Sequence, residues 1–267
     1  MRDANSGFSS VRSEDGQVRV TAPNAPFLFK SRATSHIHNR NDRDIPVFVV
    51  DLRGLHNLVE EPPQNSHIQM STIAIIYHSG YGHTQLQAEA VMRGVQSVQS
   101  VNAQLYTVEE ASERLDELDA AEAIILGCPT YMGSMSAGMK SFLEVAAKKW
   151  FTLAWKDKVA GAFTNSSSFS GDKLNTLVGL VINAMQHGMI FVGLGMMPSH
   201  NKPEAMDQAT GPGRDAHNQV GSFIGPMATS FQIKPPDAPA SGDLETAEIY
   251  GRRVAEITLQ LVRGRAA

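Results

Sequence analysis

The stretch Thr72-Ile-Ala-Ile-Ile-Tyr-His-Ser-Gly-Tyr-Gly-His-Thr84 decides the fold class. Its first half, residues 72–77, is a short β-rich apolar run of the kind that is buried on both faces of a parallel sheet. Its second half is rich in glycine and hydroxyl groups. Residues 85–98 then carry apolar side chains at helical spacing. The stretch therefore predicts a strand, a glycine-rich loop and a helix in succession.

The same alternation continues to the C-terminus. It predicts further strands over residues 104–108, 123–127, 159–164 and 189–194, and helices over residues 111–118, 136–147, 173–186 and 244–262. Five strands that alternate with helices predict an α/β fold, a doubly wound five-stranded parallel sheet in the order 2-1-3-4-5 with helices on both faces. Because ligands of such sheets bind beyond the carboxyl ends of the strands, we expect chemistry in the loops after strands one, three and four.

Residues 1–69 have a different composition. They include a polar stretch over residues 31–44, a Pro62-Pro63 pair and one apolar run over residues 45–50, which is compatible with an edge strand although Pro46 weakens it. Two interpretations stand, a poorly ordered N-terminal extension (or a mis-annotated start, with Met70 as the initiator) and a small lobe packed on the domain. We favour the extension. Residues 70–267 form the predicted domain.

Composition limits the classes of function. Twenty-three basic and twenty-seven acidic residues give a formal charge of −4, which offers no electrostatic argument for binding nucleic acid or an anionic membrane. Cys128 is the only cysteine, so no intramolecular disulfide forms, and we interpret it as a small buried residue. No stretch has the length and apolarity of a membrane span. We expect a cytoplasmic protein, without a metal site at His36 and His38.

The first loop, residues 78–84, suits a single phosphate. Its small residues, hydroxyls and backbone N–H groups stand at a helix N-terminus. It lacks the lysine of a Walker A loop, and Gln85 stands where the dinucleotide fingerprint has its third glycine. The alternative is an ordinary glycine-rich turn. Residues 127–136 and 164–171 are the other two loops, suited to the edge and the polar side of a planar ring, or else ordinary connections.

Three blocks together resemble a known family: Tyr77-His-Ser-Gly-Tyr-Gly-His-Thr84, Gly127-Cys-Pro-Thr-Tyr-Met-Gly-Ser-Met-Ser136 and His187-Gly-Met-Ile190. They are similar to the flavodoxin-like NAD(P)H:quinone oxidoreductases of the WrbA type, which are related to NADPH-dependent FMN reductases. The resemblance covers about residues 70–262. It implies a flavodoxin-like fold, FMN as cofactor, NAD(P)H as electron donor, a quinone or similar small acceptor, and a homo-oligomer.

The resemblance also implies roles for individual residues. The FMN phosphate would be held by Ser79, Gly80, Tyr81, Gly82, His83 and Thr84. The flavin ring would contact Pro129, Thr130, Tyr131, Met132 and Gly133. The ring and ribityl chain would be bordered by Asn165, Ser166, Ser167, Ser168 and Gly171. Tyr81 would lie over the nicotinamide and acceptor site and Trp150 at its mouth. His187 would lie beside the flavin, supplied by a neighbouring subunit or the adjacent helix end, although a structural histidine is an equal alternative.

Two features depart from the family pattern. The family's insertion between the second and third strands is missing, because the segment that connects them, residues 108–123, is short. Residues 195–239 form a long segment, and we interpret it as a lid or assembly loop near the flavin. The rival function is a flavodoxin-type electron carrier without NAD(P)H activity of its own. A flavin-binding regulator is a third hypothesis.

Overall fold

The computed structural model describes residues 9–12, 18–21, 35–37, 45–47, 70–205, 209 and 211–266. The chain divides into two compact units, residues 1–66 and 67–267. In the first unit, strand β1 (Ser9–Arg12) pairs antiparallel with β2 (Val18–Thr21), and β3 (Ser35–Ile37) with β4 (Ile45–Val47). The run predicted as an edge strand thus begins with β4. The predicted poor order of residues 1–69 falls mostly outside the described residues.

The second unit is built on a parallel sheet. Its long strands are β5 (Ser71–Tyr77), β6 (Val101–Thr107), β7 (Ala123–Tyr131) and β9 (Val159–Ser166), and its short ones are β8 (Ser134–Met135), β10 (Ile190–Phe191) and β11 (Met227–Thr229). The order is β6-β5-β7-β9-β10, with each of these pairs parallel. This order confirms the predicted 2-1-3-4-5 arrangement.

The fifth strand is divided into two pieces. The prediction placed it over residues 189–194, but β10 has two residues and pairs only with the start of β9. β11 pairs in parallel with the other end of β9, opposite residues 164–166. Residues 192–226 separate the two pieces along the chain. The apolar run predicts a strand, but it cannot show that the chain leaves the sheet edge and returns to it.

Helices cover both faces of the sheet. They are α1 (His83–Gln96), α2 (Val108–Glu113), α3 (Ala137–Trp150), α4 (Lys173–Gln186) and α5 (Ser241–Ala266). α1 and α5 pack on one face, while α2, α3 and α4 pack on the other. α2 begins earlier than predicted because Thr107 and Glu110 form a reciprocal capping box. Among the helices in the described residues, none has the length and apolarity that a membrane crossing requires.

Tyr250 of α5 ties the divided edge together. Its buried hydroxyl accepts the backbone N–H of Ala162 on β9 at 3.1 Å and donates to the carbonyl of Val192 at 2.7 Å. Burial raises the pKa of this phenol well above its ordinary value, so the hydroxyl keeps its proton. The side chain therefore bridges two backbone groups at the point where the fifth strand is interrupted.

α1 and α5 approach closely through two glycines. A Cβ on Gly94 of α1 would overlap the carbonyl of Glu248, and a Cβ on Gly251 of α5 would overlap the carbonyl of Val91. Close packing leaves no space that a methyl group can fill without moving a helix. These glycines therefore set the distance between the two helices.

We expect the substitution Gly251→Ala to destabilise the protein by about 1–3 kcal/mol, because overpacking outweighs the better helix propensity of alanine. Denaturant unfolding measures this. The matched control is Gly264→Ala on the same helix, where a Cβ meets nothing within 4 Å. A Gly251→Ala protein as stable as the wild type would show that the helices are not held at this spacing.

Candidate functional site

The three loops predicted to carry chemistry meet at one edge of the sheet. The strands β5, β7 and β9 that precede them are adjacent and parallel, with Tyr77 opposite Gly127 and Pro129 opposite Asn165. Because parallel strands end side by side, the loops that follow them gather at the same place. We call this surface the carboxyl edge.

The first loop is organised by Ser79. Its Oγ accepts the backbone N–H groups of Gly82 at 3.1 Å and Gln85 at 3.2 Å. A hydroxyl oxygen that accepts twice still has its own proton to donate. Gly82 has a φ of +89°, and a Cβ there would lie 3.2 Å from Cγ of Pro235, so this position requires glycine. No acidic residue lies in the first turn of α1, which leaves its positive end facing the loop.

The second loop is a β-hairpin rather than the predicted connection. β7 continues past Gly127 to Tyr131 and pairs antiparallel with β8. Met132 and Gly133 form the turn, with φ values of +49° and +79°. Two left-handed residues in succession are the type I′ geometry that matches the twist of a hairpin. Met132 is thereby fully exposed at the tip.

The hairpin and the first loop are in contact through Tyr131. A Cβ on Gly80 would lie 2.6 Å from the Tyr131 hydroxyl oxygen, so a larger residue at this position would have to displace the Tyr131 ring. The rings of Tyr131 and Tyr81 meet edge to face, with centroids 6.2 Å apart. Burial raises the pKa of Tyr131, which keeps the phenol neutral. Tyr81 is 75% exposed and presents its ring to solvent.

Thr130 lies beneath the edge. Its buried hydroxyl hydrogen-bonds with those of Thr164 at 2.9 Å and Thr176 at 2.8 Å. These bonds join β7, β9 and α4, so the side chain of Thr130 supports the hairpin. The neighbouring Cys128 is fully buried, and burial raises the pKa of its thiol to about 11. A neutral buried thiol agrees with its interpretation as a small core residue.

The third loop begins on β9 and leaves one polar atom unsatisfied. Asn165 Nδ2 donates to Ser230 Oγ at 3.2 Å, whereas its buried Oδ1 has no protein partner among the described residues. Ser166 Oγ donates to the carbonyl of Ser168 at 2.9 Å, and Gly171 packs against the Ser166 side chain. A buried acceptor without a donor is costly unless a ligand or water supplies one.

The end of the long segment borders two of the loops. Gln232 Nε2 donates to Ser167 Oγ in the third loop at 3.0 Å. His83 Nε2, at the start of α1, donates to the carbonyl of Ile233 at 2.7 Å. We call residues 230–235 the 230–235 segment. It bridges the first and third loops along one side of the carboxyl edge.

Sequence reasoning missed two buried charges under the third loop, Lys173 and Asp243. Lys173 is 0% exposed, and its Nζ donates to the carbonyls of Ser168 and Ala228 and to the hydroxyl of Thr229. Burial lowers the pKa of Lys173 to about 8, and burial raises the pKa of Asp243 to about 6. One signal was available, because a lysine in the first turn of a helix opposes the helix dipole.

The structure does not bring His187 and Trp150 to the carboxyl edge. They lie at the far ends of α4 and α3, which run antiparallel to the strands. His187 stacks on Trp155 with ring centroids 4.6 Å apart and is only 2% exposed. Burial lowers its pKa. Within one chain, neither predicted residue reaches the three loops, and His187 is a core residue.

Comparisons with known proteins agree with this architecture. The family model described as NADPH-dependent FMN reductase matches residues 74–203. The chain is 39% identical to flavodoxin FldP of Pseudomonas aeruginosa, over 72% of this chain and 99% of that protein. It is 33% identical to an NAD(P)H dehydrogenase (quinone) of Syntrophobacter fumaroxidans, over 72% and 98%. A solved WrbA-like flavodoxin from Agrobacterium tumefaciens is 40% identical, with a TM-score of 0.54 over 71% and 98%.

The family match spans all three loops of the carboxyl edge. The relatives are matched over almost their whole length. The chain therefore belongs to the flavodoxin-like family of WrbA-type NAD(P)H:quinone oxidoreductases.

Proposed function

We propose that the carboxyl edge binds FMN and that the protein passes two electrons from NAD(P)H to a quinone or similar small acceptor. One observation carries the proposal: a helix N-terminus, an exposed hairpin tip and a buried unsatisfied acceptor converge at the same edge. Relatives named as NAD(P)H dehydrogenases (quinone) support the reaction, and the FMN reductase family supports the cofactor.

The first loop fits the phosphate of FMN. The first amides of α1 lack acceptors within the helix, and the hydroxyl proton of Ser79 is free to donate. Residues 78–84 contain no lysine or arginine. The phosphate charge would therefore be met by backbone N–H groups and the helix dipole, as at other phosphate sites on helix N-termini. His83 and Thr84 would contribute their backbone amides.

The other two loops fit the ring and the ribityl chain. Tyr131, Met132 and Gly133 offer an aromatic ring, a thioether and backbone amides at the hairpin tip. Pro129 and Thr130 are buried and would contribute backbone only. On the other side, Asn165 Oδ1 would accept a hydrogen bond from the ligand, and Ser166, Ser167, Ser168 and Gly171 would border it.

The protein's part in the reaction is positional. The chemistry that FMN supplies when bound is two-electron redox chemistry between a nicotinamide and a quinone, so no side chain is needed as a nucleophile. Tyr81 stands exposed beside the hairpin and offers a flat surface on which a nicotinamide or quinone ring stacks. The 230–235 segment excludes water from the side that joins the first and third loops.

We also propose that the protein is a homo-oligomer in the cytoplasm. α4 carries large apolar side chains one turn apart that remain exposed: Leu174, Val178, Ile182 and Met185. A continuous apolar stripe of this kind is typical of a protein–protein interface. In such an assembly, Trp150, which is 43% exposed, remains available to a neighbouring copy.

Anaerobic spectroscopy tests the reaction directly. We expect the purified protein, loaded with FMN, to lose its visible flavin absorbance when NADH or NADPH is added and to regain it with benzoquinone. The relative named as a flavodoxin favours the alternative of an electron carrier. A protein that binds FMN but is reduced by neither nucleotide would support that alternative and contradict the oxidoreductase.

We expect the substitution Tyr81→Ala to raise the KM for the quinone about tenfold, because an aromatic contact and its buried area are lost at the acceptor site. The FMN content should stay unchanged. Steady-state kinetics with benzoquinone measure the KM, and the visible flavin absorbance per mole of protein measures the FMN content. Tyr81→Phe is the matched control, since it keeps the ring and should behave as the wild type. A Tyr81→Ala enzyme with an unaltered KM would remove Tyr81 from the acceptor site.

We expect the substitution Ile182→Glu to dissociate the oligomer, because it places a charge in the centre of the apolar stripe. Light scattering after size-exclusion chromatography measures the mass. The matched control is Gln96→Glu, which adds the same charge at an exposed position on α1, on the opposite face of the sheet. A wild-type protein that is itself monomeric would contradict the proposed assembly.

A further inference from the structure

Lys173 makes three hydrogen bonds that join two separate elements. Its Nζ lies 2.9 Å from the carbonyl of Ser168, 2.9 Å from the carbonyl of Ala228 and 2.8 Å from the hydroxyl of Thr229. An ammonium group has three N–H donors and no acceptor, so the three partners match its full capacity. One partner is in the third loop and two are on β11, which leads directly into the 230–235 segment.

Asp243 holds β11 from another direction. Its Oδ2 accepts the backbone N–H of Thr229 at 2.8 Å, and its carboxylate is the charge that acts on Lys173. The other charged group that acts on this carboxylate, among the described residues, is Arg214 from the long segment. Lys173 and Asp243 therefore hold β11 by two hydrogen bonds to its backbone and one to the Thr229 side chain, and both groups are buried.

Burial opposes the charged form of both groups. The pKa of Lys173 falls to about 8, so between there and the ordinary 10.5 the unfolded chain holds more protons and stability rises with pH. The pKa of Asp243 rises to about 6, so between the ordinary 3.8 and that value stability falls as the pH rises. In both cases the charged form is the one that folding disfavours, as desolvation of buried charged groups predicts.

We propose that Lys173 and Asp243 are positioning residues, which hold the third loop and the 230–235 segment at the separation that FMN requires. This inference rests on the proposed function. Lys173 joins the third loop, which carries Ser166–Ser168, to β11 and so to the 230–235 segment, which contacts the first loop. Without the ammonium, the Ala228 carbonyl and the Thr229 hydroxyl lose this donor, and the Ser168 carbonyl keeps only the Ser166 hydroxyl. The link between the third loop and β11 through Lys173 is then lost.

The protonation of Lys173 gives the inference a specific signature. A neutral amine has two N–H donors and therefore loses one of the three hydrogen bonds that join the third loop to β11. With a pKa of about 8, the protonated fraction falls about tenfold between pH 7 and pH 9. The apparent dissociation constant of FMN should therefore rise about tenfold over that range, because only the protonated fraction is competent to bind. The phosphate of FMN, with its second pKa near 6, does not titrate there.

The test compares two double variants with the wild-type chain. Lys173→Met with Asp243→Asn removes both charges, keeps the side-chain volumes and leaves an oxygen for the Thr229 N–H. The matched control is Lys140→Met with Glu144→Gln, which removes an exposed ion pair of 3.4 Å on α3. Fluorescence titration measures FMN affinity from pH 7 to pH 9. Amide hydrogen exchange is measured on the FMN-free proteins, and calorimetry measures their unfolding midpoints.

We expect the Lys173/Asp243 double variant to bind FMN about tenfold or more weakly at pH 7, with no pH dependence up to pH 9. Amides of residues 167–172 and 228–235 should exchange faster, and a single cooperative unfolding transition in the calorimeter shows that the variant is folded. The control should match the wild type. Tight, pH-independent binding by the wild type would overturn the inference, even if the variant does not fold. A wild type that binds no FMN would overturn the proposed function instead.

Discussion

The chemistry of this protein depends on one constraint of parallel sheets. Each strand must be followed by a crossover, so the carboxyl ends of neighbouring strands and the amino ends of the helices that follow lie at the same edge. Three short loops, far apart along the chain, become neighbours for this reason alone. The close approach of α1 and α5 through Gly94 and Gly251 then fixes the position of the helix whose N-terminus forms the first loop.

Much of the fold was predictable because its signals are local. The apolar run at residues 72–77 and the periodic residues 173–186 correspond to β5 and α4 with little or no error. The predicted strand order is confirmed because crossover handedness and short connections leave few alternatives. The divided fifth strand was not predictable, since the sequence of residues 189–194 contains nothing to show that Tyr250, far away on α5, takes over its hydrogen bonds.

Some residues of the candidate site could be located from local sequence signals, and others could not. Ser79, Gly80 and Gly82 are recognisable in the sequence, because glycine and hydroxyl residues before a helix are typical of a ligand-binding loop. The structure places them at the carboxyl edge, as expected. Whether they contact FMN stays a prediction. Within one chain His187 packs on Trp155, away from the three loops, so its place beside the flavin of a neighbouring subunit stays a prediction. A motif shared with a family does not show which end of the sheet a residue occupies in one chain.

Lys173 and Asp243 are the clearest case of long-range information. They are separated by seventy positions in the chain, and neither belongs to a recognisable motif. Only folding shows that the ammonium has its three acceptors on the third loop and β11. In some proteins buried charged groups specify one arrangement of the chain rather than adding stability. Here they lie under both the third loop and the 230–235 segment.

A crystal structure of the protein grown with FMN tests the central claim most directly. The account predicts the phosphate at the N-terminus of α1, within hydrogen-bond distance of the Ser79 hydroxyl and the backbone amides of residues 80–84. It predicts the ring between the hairpin tip at Met132 and the third loop at Ser166–Ser168. FMN bound at any other surface, or no FMN bound at saturating concentration, would contradict the account.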